Sequence, residues 1–394
     1  MLYIPEAFEA LVDDRWDEAR VRAAIGTIVA DVDEVFDRVT LWPAAEADAD
    51  GAPAPLKDLY CGAAGVVWAL DALRRRGQAE TRIDLAVVAG RVLELQRERP
   101  DYLAWGAVPM PAESSLFCGE TGLLLLSWRL APSAELADLL LERVRTNLAN
   151  EAEELMWGSP GTLVAAHVMH GWTGEDRWLE AWRESAEALR SRRDPNGLWT
   201  QRLYGADPRQ IVGPAHGLVG IVFALLQGED DEQLARETAA VLASEAVVED
   251  GLANWPAVAG GPLERNDQIR VQWCHGAAGV VSTAAAYLDE ELLLGGAELV
   301  WRAGAHGPEK GAGLCHGTAG NGYALLAAFE HTGDERWLER ARRFAVHALA
   351  QAAGERSEAG RGRYSLLTGD LGVALYAASC LDGDSRFPVL DGWD

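Results

Sequence analysis

The sequence predicts an all-α fold, an (α/α)7 double toroid in which seven inner helices are wrapped by seven outer helices. Two periodic features predict it. A GxxG motif followed by an apolar run occurs seven times, and the segments between the copies have apolar residues at intervals of three and four, as in helices with one wet face. Because these repeats use nearly all of the chain, we expect a single domain over residues 1–394.

The GxxG motifs mark the starts of the predicted inner helices. The run after each motif is apolar all round, which is typical of a helix buried on every side. Glycine lets helix ends approach closely and lets loops turn with positive φ, so we interpret these glycines as architecture rather than chemistry. The seven copies begin at Cys61, Cys118, Trp157, His216, His275, His316 and Thr368.

The amphipathic segments are the predicted outer helices. A second repeat supports their alternation with the buried ones: the block TGEDRWLE at 173–180 returns as TGDERWLE at 332–339, with the offset of 159 that also separates Gly158 from Gly317. The predicted outer helices are 19–39, 82–99, 133–150, 177–193, 231–247, 290–303 and 336–353.

The predicted connections are of unequal length. Those that lead from an outer to an inner helix are long, so we expect them on one face of the scaffold, where functional loops usually lie. They are 40–60, 100–116, 194–215, 248–273, 304–314 and 354–368.

Charge and composition exclude several classes of partner. A net charge of −26 argues against nucleic acid and anionic membranes, which both need a basic surface. The start of the sequence lacks the basic and apolar regions of a signal peptide, and no apolar run approaches the roughly 18 residues of a membrane span. Five scattered cysteines make a poor disulfide framework. We therefore expect a cytoplasmic protein.

The tripeptide Cys-His-Gly occurs twice, from Cys274 and from Cys315, at the starts of the fifth and sixth inner helices. Neighbouring inner helices would place these starts side by side, and two thiols with two imidazoles form a ligand set that suits zinc. Three interpretations remain open: packed cysteines without metal, a closed Cys2His2 structural site, or three ligands with a free fourth position. Spacing does not choose between His275 and His316.

Three motifs resemble one known family. WCHGAAG at 273–279, LCHGTAGN at 314–321 and AHGLVG at 215–220, set within seven GxxG repeats, look like the lanthionine synthetase C-like (LanC-like) family over essentially the whole chain. The resemblance implies a double seven-helix toroid with a catalytic zinc ion. It also implies which side chains hold that ion: Cys274, Cys315 and His316, rather than His275.

The resemblance further implies catalytic roles for His216 as general acid/base and for Arg270 near the reacting centre, and Glu154 occupies a position where bacterial cyclases usually carry Asp. These residue types fit the addition of a thiol to a dehydroamino acid. Zinc turns a thiol of pKa near 8.5 into a thiolate, which attacks the β-carbon of dehydroalanine or dehydrobutyrine. The enolate formed there needs a positive group and then a proton at Cα.

Three further features concern the identity of the thiol. Lys310 matches a lysine that contacts glutathione in the eukaryotic-type members, Arg361 or Arg363 matches a second basic contact, and the ending RFPVLDGWD at 386–394 is similar to theirs. We therefore expect a stand-alone member, closer to the glutathione-binding type, that adds glutathione, another small thiol or a peptide cysteine to dehydroamino acids of a peptide or protein.

Three alternatives compete with this function. One is a cyclase that makes lanthionine rings in trans, and another is a non-catalytic protein that binds zinc or a thiol. The third is a glycoside-processing toroid, which needs two carboxylates across the ring mouth. Among the motif starts only Glu154 and Asp370 qualify for that role.

Overall fold

The computed structural model describes residues 1–49, 54–101, 112–203 and 207–393. Within these ranges the chain is mainly helical, with six short strands in three antiparallel pairs. The helices are α1 (Glu18–Val35), α2 (Glu46–Ala49), α3 (Ala63–Arg75), α4 (Leu85–Glu98), α5 (Glu120–Leu130), α6 (Ala134–Thr146), α7 (Ser159–Thr173), α8 (Asp176–Ser191), α9 (Leu218–Gly228), α10 (Glu232–Glu245), α11 (Ala277–Ala284), α12 (Glu290–Ala303), α13 (Thr318–Thr332), α14 (Glu335–Ala359) and α15 (Asp370–Asp382). The strands are β1 (Phe8–Glu9), β2 (Val247–Glu249), β3 (Leu252–Asn254), β4 (Glu264–Arg265), β5 (Gln268–Ile269) and β6 (Ala305–His306).

Buried and amphipathic helices alternate along the described chain, as the repeats predicted. Every residue of α13 from Thr318 to Ala328 is buried, whereas α8 buries only the face that carries Trp178, Trp182 and Leu189. Each of the seven GxxG motifs is followed by a helix that begins one residue after its first glycine. The predicted alternation of helices is therefore confirmed.

The motif glycines are required mainly by close packing of backbone. A Cβ at Gly217 would lie 2.0 Å from the Ile211 carbonyl oxygen, and one at Gly220 would lie 1.9 Å from that of Pro214. Both distances are shorter than any real contact, because the preceding loop folds under the start of α9. Of the seven first glycines only Gly276, with φ of 90°, needs a left-handed backbone, so the second predicted reason applies to that position alone.

The repeated TG block is a helix-to-helix connection. Gly174 and Gly333 end α7 and α13 in the left-handed conformation, with φ of 66° and 68°. At the second copy the Thr332 hydroxyl donates to the Ala328 carbonyl at 2.6 Å and accepts from the Asp334 N–H at 3.2 Å, and Thr173 makes the equivalent pair of bonds. The same turn chemistry thus accounts for the repeat seen in the sequence.

Several predicted boundaries are wrong. Helix α14 continues to Ala359, past the expected end at 353, and stops at Gly360 with φ of 68°. Helix α1 stops at Val35 rather than 39, because the Asp37 carboxylate accepts the N–H groups of Val39 and Thr40 and closes a turn. The long connection 248–273 carries β3, β4 and β5, which the sequence did not predict. Residues 50–53, 102–111 and 204–206 of the other long connections lie outside the described residues.

The chain divides into two compact units. The first comprises 1–36, 69–82 and 239–394, and the second comprises 37–68 and 83–238. In the first unit α13 packs against α11, α12, α14 and α15, and in the second α7 packs against α8 and α9. The single domain expected over 1–394 stays a prediction. None of the helices described is both long and apolar enough to cross a membrane.

Candidate metal centre and histidine–glutamate pair

The turns that precede the buried helices of the first unit are joined by backbone hydrogen bonds. The Cys274 N–H donates to the Cys315 carbonyl at 3.3 Å, and the Cys315 N–H donates to the Leu367 carbonyl at 2.8 Å. Since Cys274 lies just before α11 and Cys315 just before α13, these bonds hold the two cysteines next to each other. The starts of the two helices are therefore side by side, as expected from the sequence.

Cys274, Cys315 and His316 form a compact group of metal-ligating side chains. One sulfur from each cysteine and one ring nitrogen of the histidine all lie within 4.8 Å of one another. Both cysteines are buried and the histidine is half-buried, with its Nε2 3.6 Å from the Cys315 sulfur. His275 is not part of this group in the portion of the chain that the structure describes.

The surroundings of Cys274 favour its thiolate. Burial alone raises the pKa of a thiol, but here the hydrogen bond with Cys315 and the charges of His316 and His275 outweigh burial and hold the pKa of Cys274 well below its usual range. In contrast, burial and the Asp58 charge raise the pKa of Cys61 and of Cys118 far above normal. Those two cysteines stay protonated and serve packing, whereas Cys274 is prepared to bind a cation.

The second unit holds a histidine–carboxylate pair. His216, immediately before the first glycine of its motif, places Nδ1 2.7 Å from Glu154 Oε2. Glu154 is fully buried, while 23% of the His216 side chain is exposed. A carboxylate acceptor at Nδ1 assigns the ring hydrogen to that nitrogen, which leaves Nε2 as the atom able to take up and give back a proton.

Glu154 also organises the start of α7. Its carboxylate accepts the backbone N–H groups of Met156 at 3.1 Å, of Gly158 at 3.1 Å, and of Trp157. Holding the start of α7 and holding the His216 ring are thus compatible roles of Glu154. The backbone fixes the carboxylate, and the carboxylate in turn fixes the His216 ring.

The remaining predicted basic residues lie in the first unit. Arg270 and Lys310 are both half-buried, and within the described ranges neither has an ion-pair partner. Arg361 is exposed and Arg363 is half-buried. Burial and the Asp370 charge raise the pKa of Glu355, and the nearby Arg363 charge opposes that shift.

Asp370, the second carboxylate of the glycoside alternative, is engaged in an ion pair with Arg356. Its Oδ2 accepts from Arg356 Nη2 at 2.7 Å. Glu154 is likewise engaged with His216 and three backbone N–H groups. Neither carboxylate is available as the free acid or base that glycoside cleavage requires.

The sequence analysis missed three buried polar residues near Cys274, which are Gln272, His306 and Asn321. Gln272 Nε2 donates to the Cys274 sulfur at 2.9 Å. The carbonyl of the preceding Val271 accepts from His306 Nε2 at 2.9 Å and from Asn321 Nδ2 at 2.8 Å. The adjacency of Gln272 to the Trp-Cys-His-Gly motif was the only signal for it, and nothing in the sequence pointed to His306.

Comparison with known proteins assigns the family. The family model described as lanthionine synthetase C-like protein matches residues 57–391, so the chain belongs to the LanC-like family, as the motifs predicted. The LanC-like protein GCL1 of Arabidopsis thaliana is 32% identical over 201 residues, which are 47% of this chain and 44% of that protein. A Danio rerio protein named glutathione S-transferase LANCL1 is 33% identical over 150 residues, or 34% of this chain and 35% of that protein.

A solved structure has the same fold. Nisin cyclase is only 14% identical, but it superposes with a TM-score of 0.60 over 91% of this chain and 94% of its own. This likeness confirms the predicted fold class and carries no further argument. The sequence matches span less than half the length of the Arabidopsis and Danio relatives.

Proposed function

We propose that this LanC-like protein catalyses the zinc-dependent addition of a thiol to dehydroalanine or dehydrobutyrine residues, forming a thioether. The observation that carries the proposal is the group of two cysteine sulfurs and one imidazole nitrogen within 4.8 Å. The reactants in this proposal are a small thiol, with glutathione as the first candidate, and a peptide or protein that contains a dehydroamino acid.

The donor set fits zinc with one position left for a ligand from outside. Cys274, Cys315 and His316 supply three soft or borderline donors, and three protein ligands are typical of catalytic rather than structural zinc. When bound, the ion would lower the pKa of an incoming thiol, so that the thiol is deprotonated at neutral pH. The lowered pKa of Cys274 supports this assignment, because a metal ligand must be a thiolate.

We assign the delivery of the proton in this reaction to His216. Addition of a thiolate to the β-carbon leaves an enolate, and one proton must reach Cα to complete the thioether product. Glu154 holds the Nδ1 hydrogen of His216, so Nε2 is the atom that carries the transferable proton. Turnover then requires the ring to be protonated again from solvent or from the next thiol.

We assign stabilisation of the enolate's negative charge to Arg270. A half-buried guanidinium without an ion pair in the described part of the chain is available to a developing oxyanion, and such electrostatic stabilisation is usually a large catalytic term. Lys310 is available in the same way to a carboxylate of the thiol, and Arg361 or Arg363 is proposed as a second contact. These basic groups would favour an anionic thiol.

The test is a mass measurement. Zinc-loaded protein is incubated with a dehydroalanine peptide and glutathione, and the peptide is expected to gain the mass of one glutathione. A peptide that also contains cysteine separates ring closure from addition: closure leaves the mass unchanged and removes a thiol that iodoacetamide can label. If neither product exceeds that of the chelator-treated protein, the proposal is refuted and a non-catalytic binding role is favoured.

A further inference from the structure

Gln272 contacts one of the candidate ligands directly. Its side chain is almost fully buried, with 4% exposed, and its amide nitrogen lies 2.9 Å from the Cys274 sulfur. A metal-ligating cysteine sulfur is an acceptor that attracts an N–H and repels an amide oxygen, which agrees with the nitrogen facing the sulfur. The contact is therefore a hydrogen bond from a neutral N–H donor to one sulfur of the candidate ligand group.

The backbone holds this contact in place. Gln272 and His275 exchange two backbone hydrogen bonds, at 3.0 and 3.1 Å, which close a tight turn around Trp273 and Cys274. Within this turn the amide nitrogen of Gln272 reaches the sulfur of Cys274, two residues further along the chain.

A second support lies one residue earlier. The Val271 carbonyl accepts from two buried side chains, His306 and Asn321, at 2.9 and 2.8 Å. These bonds hold the chain on the N-terminal side of Gln272, just before the turn begins. Hydrogen bonds therefore hold the backbone on both sides of Gln272, which limits where its amide can lie.

We propose that Gln272 is a positioning residue of the metal centre, whose amide orients the Cys274 sulfur and withdraws electron density from it. The inference rests on the proposed function in that it presupposes the metal ion. A hydrogen-bonded thiolate donates less charge to a cation and is a weaker nucleophile. Cys274 thereby stays a ligand in the presence of an electrophilic dehydroamino acid, and the cation keeps enough positive charge to activate the substrate thiol.

Cobalt substitution tests this without any turnover. The protein is loaded with Co²⁺, and the sulfur-to-cobalt charge-transfer band is recorded for the wild type, Gln272→Met and Gln272→Leu. Removing the N–H raises the energy of the sulfur electrons, so the band is expected to move to lower energy. Zinc affinity, measured by competition with a chelator, is expected to fall about 10- to 100-fold, because loss of the orienting contact outweighs the stronger charge donation of the freed sulfur.

Gln268 offers the matched control. It lies in the same segment, on the exposed face of β5, and Gln268→Met and Gln268→Leu make the same chemical change at a position away from the sulfur. Both control variants should retain the wild-type band and zinc affinity. A general effect of losing an amide would move the bands of both pairs.

The outcomes separate this inference from the proposed reaction. A Co²⁺ band that is the same in the wild type and both Gln272 variants overturns the role of Gln272 and leaves thiol addition untouched. A shifted band in a protein that makes no thioether supports the positioning role of Gln272 and refutes the proposed thiol addition. A wild type that binds no Co²⁺ overturns the metal centre and this inference together. Should Gln272→Met not fold, Gln272→Leu decides by the same criterion.

Discussion

Replacing Glu154 with glutamine tests the histidine–carboxylate pair with an almost isosteric change. One carboxylate oxygen, Oε1, accepts from Trp157 and Gly158, and the other, Oε2, accepts from Met156 and His216. The amide keeps two backbone N–H groups satisfied if its oxygen takes the Oε1 position. Its NH₂ group then faces the Met156 N–H and the imidazole, where an acceptor is needed.

The loss of stability in this variant comes from those contacts. A buried Met156 N–H without an acceptor costs about 1–3 kcal/mol, and a hydrogen bond to a charged group contributes about 1.5–3 kcal/mol. The imidazole recovers part of this by moving its hydrogen to Nε2 and accepting the amide N–H at Nδ1. We expect Glu154→Gln to lower the free energy of unfolding by about 2–5 kcal/mol. Turnover should fall more than 100-fold, because Nε2 of that tautomer already bears the neutral ring's hydrogen and can no longer take up the proton that has to be passed to Cα.

Urea unfolding and single-turnover kinetics measure the two effects. A double-mutant cycle with His216→Asn isolates the pair, and we expect a coupling energy of at least about 1 kcal/mol between the two changes. Wild-type turnover in Glu154→Gln, or additive effects of the two substitutions, would refute the argument that the carboxylate acts through the imidazole.

Three further predictions concern the first unit. Cys315→Ala should lose zinc, while His275→Ala should retain one zinc per chain by elemental analysis; equal loss would favour a closed four-ligand site. Lys310→Met should raise the KM for glutathione about tenfold with kcat little changed, since one charged contact is removed; an unchanged KM would exclude that contact. Burial lowers the pKa of His306 from 6.5 to about 4, so between these values the unfolded chain binds a proton that the folded chain does not. Stability from His306 is therefore lost as pH falls, by about 1.4 kcal/mol per unit, and urea unfolding from pH 6.5 to 4.5 should show this slope in the wild type relative to His306→Gln; parallel curves would contradict it.

Much of the fold was predictable because its signals are local and repeated. Each buried helix is marked by a GxxG motif, and the glycines are needed wherever a loop folds under a helix start, as at Gly217 and Gly220. Boundaries were less predictable. The end of α1 depends on a turn closed by Asp37, and the extension of α14 depends on a glycine well beyond the expected end.

The candidate site was predictable where chemistry is written into residue type. Two Cys-His-Gly motifs and the family resemblance named Cys274, Cys315 and His316, and the structure groups these three. Gln272 and His306 could not be found in the same way. A glutamine or a lone histidine has many structural uses. The contact of Gln272 with Cys274 depends on the shape of one local turn, and that of His306 with the Val271 carbonyl exists only once two segments 35 residues apart have folded together.

The central claim is a zinc ion held by three protein side chains with one position for a thiol, and zinc X-ray absorption spectroscopy tests it most directly. The zinc-loaded protein is expected to show two sulfur neighbours at about 2.3 Å, and addition of glutathione should raise that number to three. Two sulfurs in both spectra, beside two nitrogen neighbours, would contradict the account, because a closed site offers no place for the substrate.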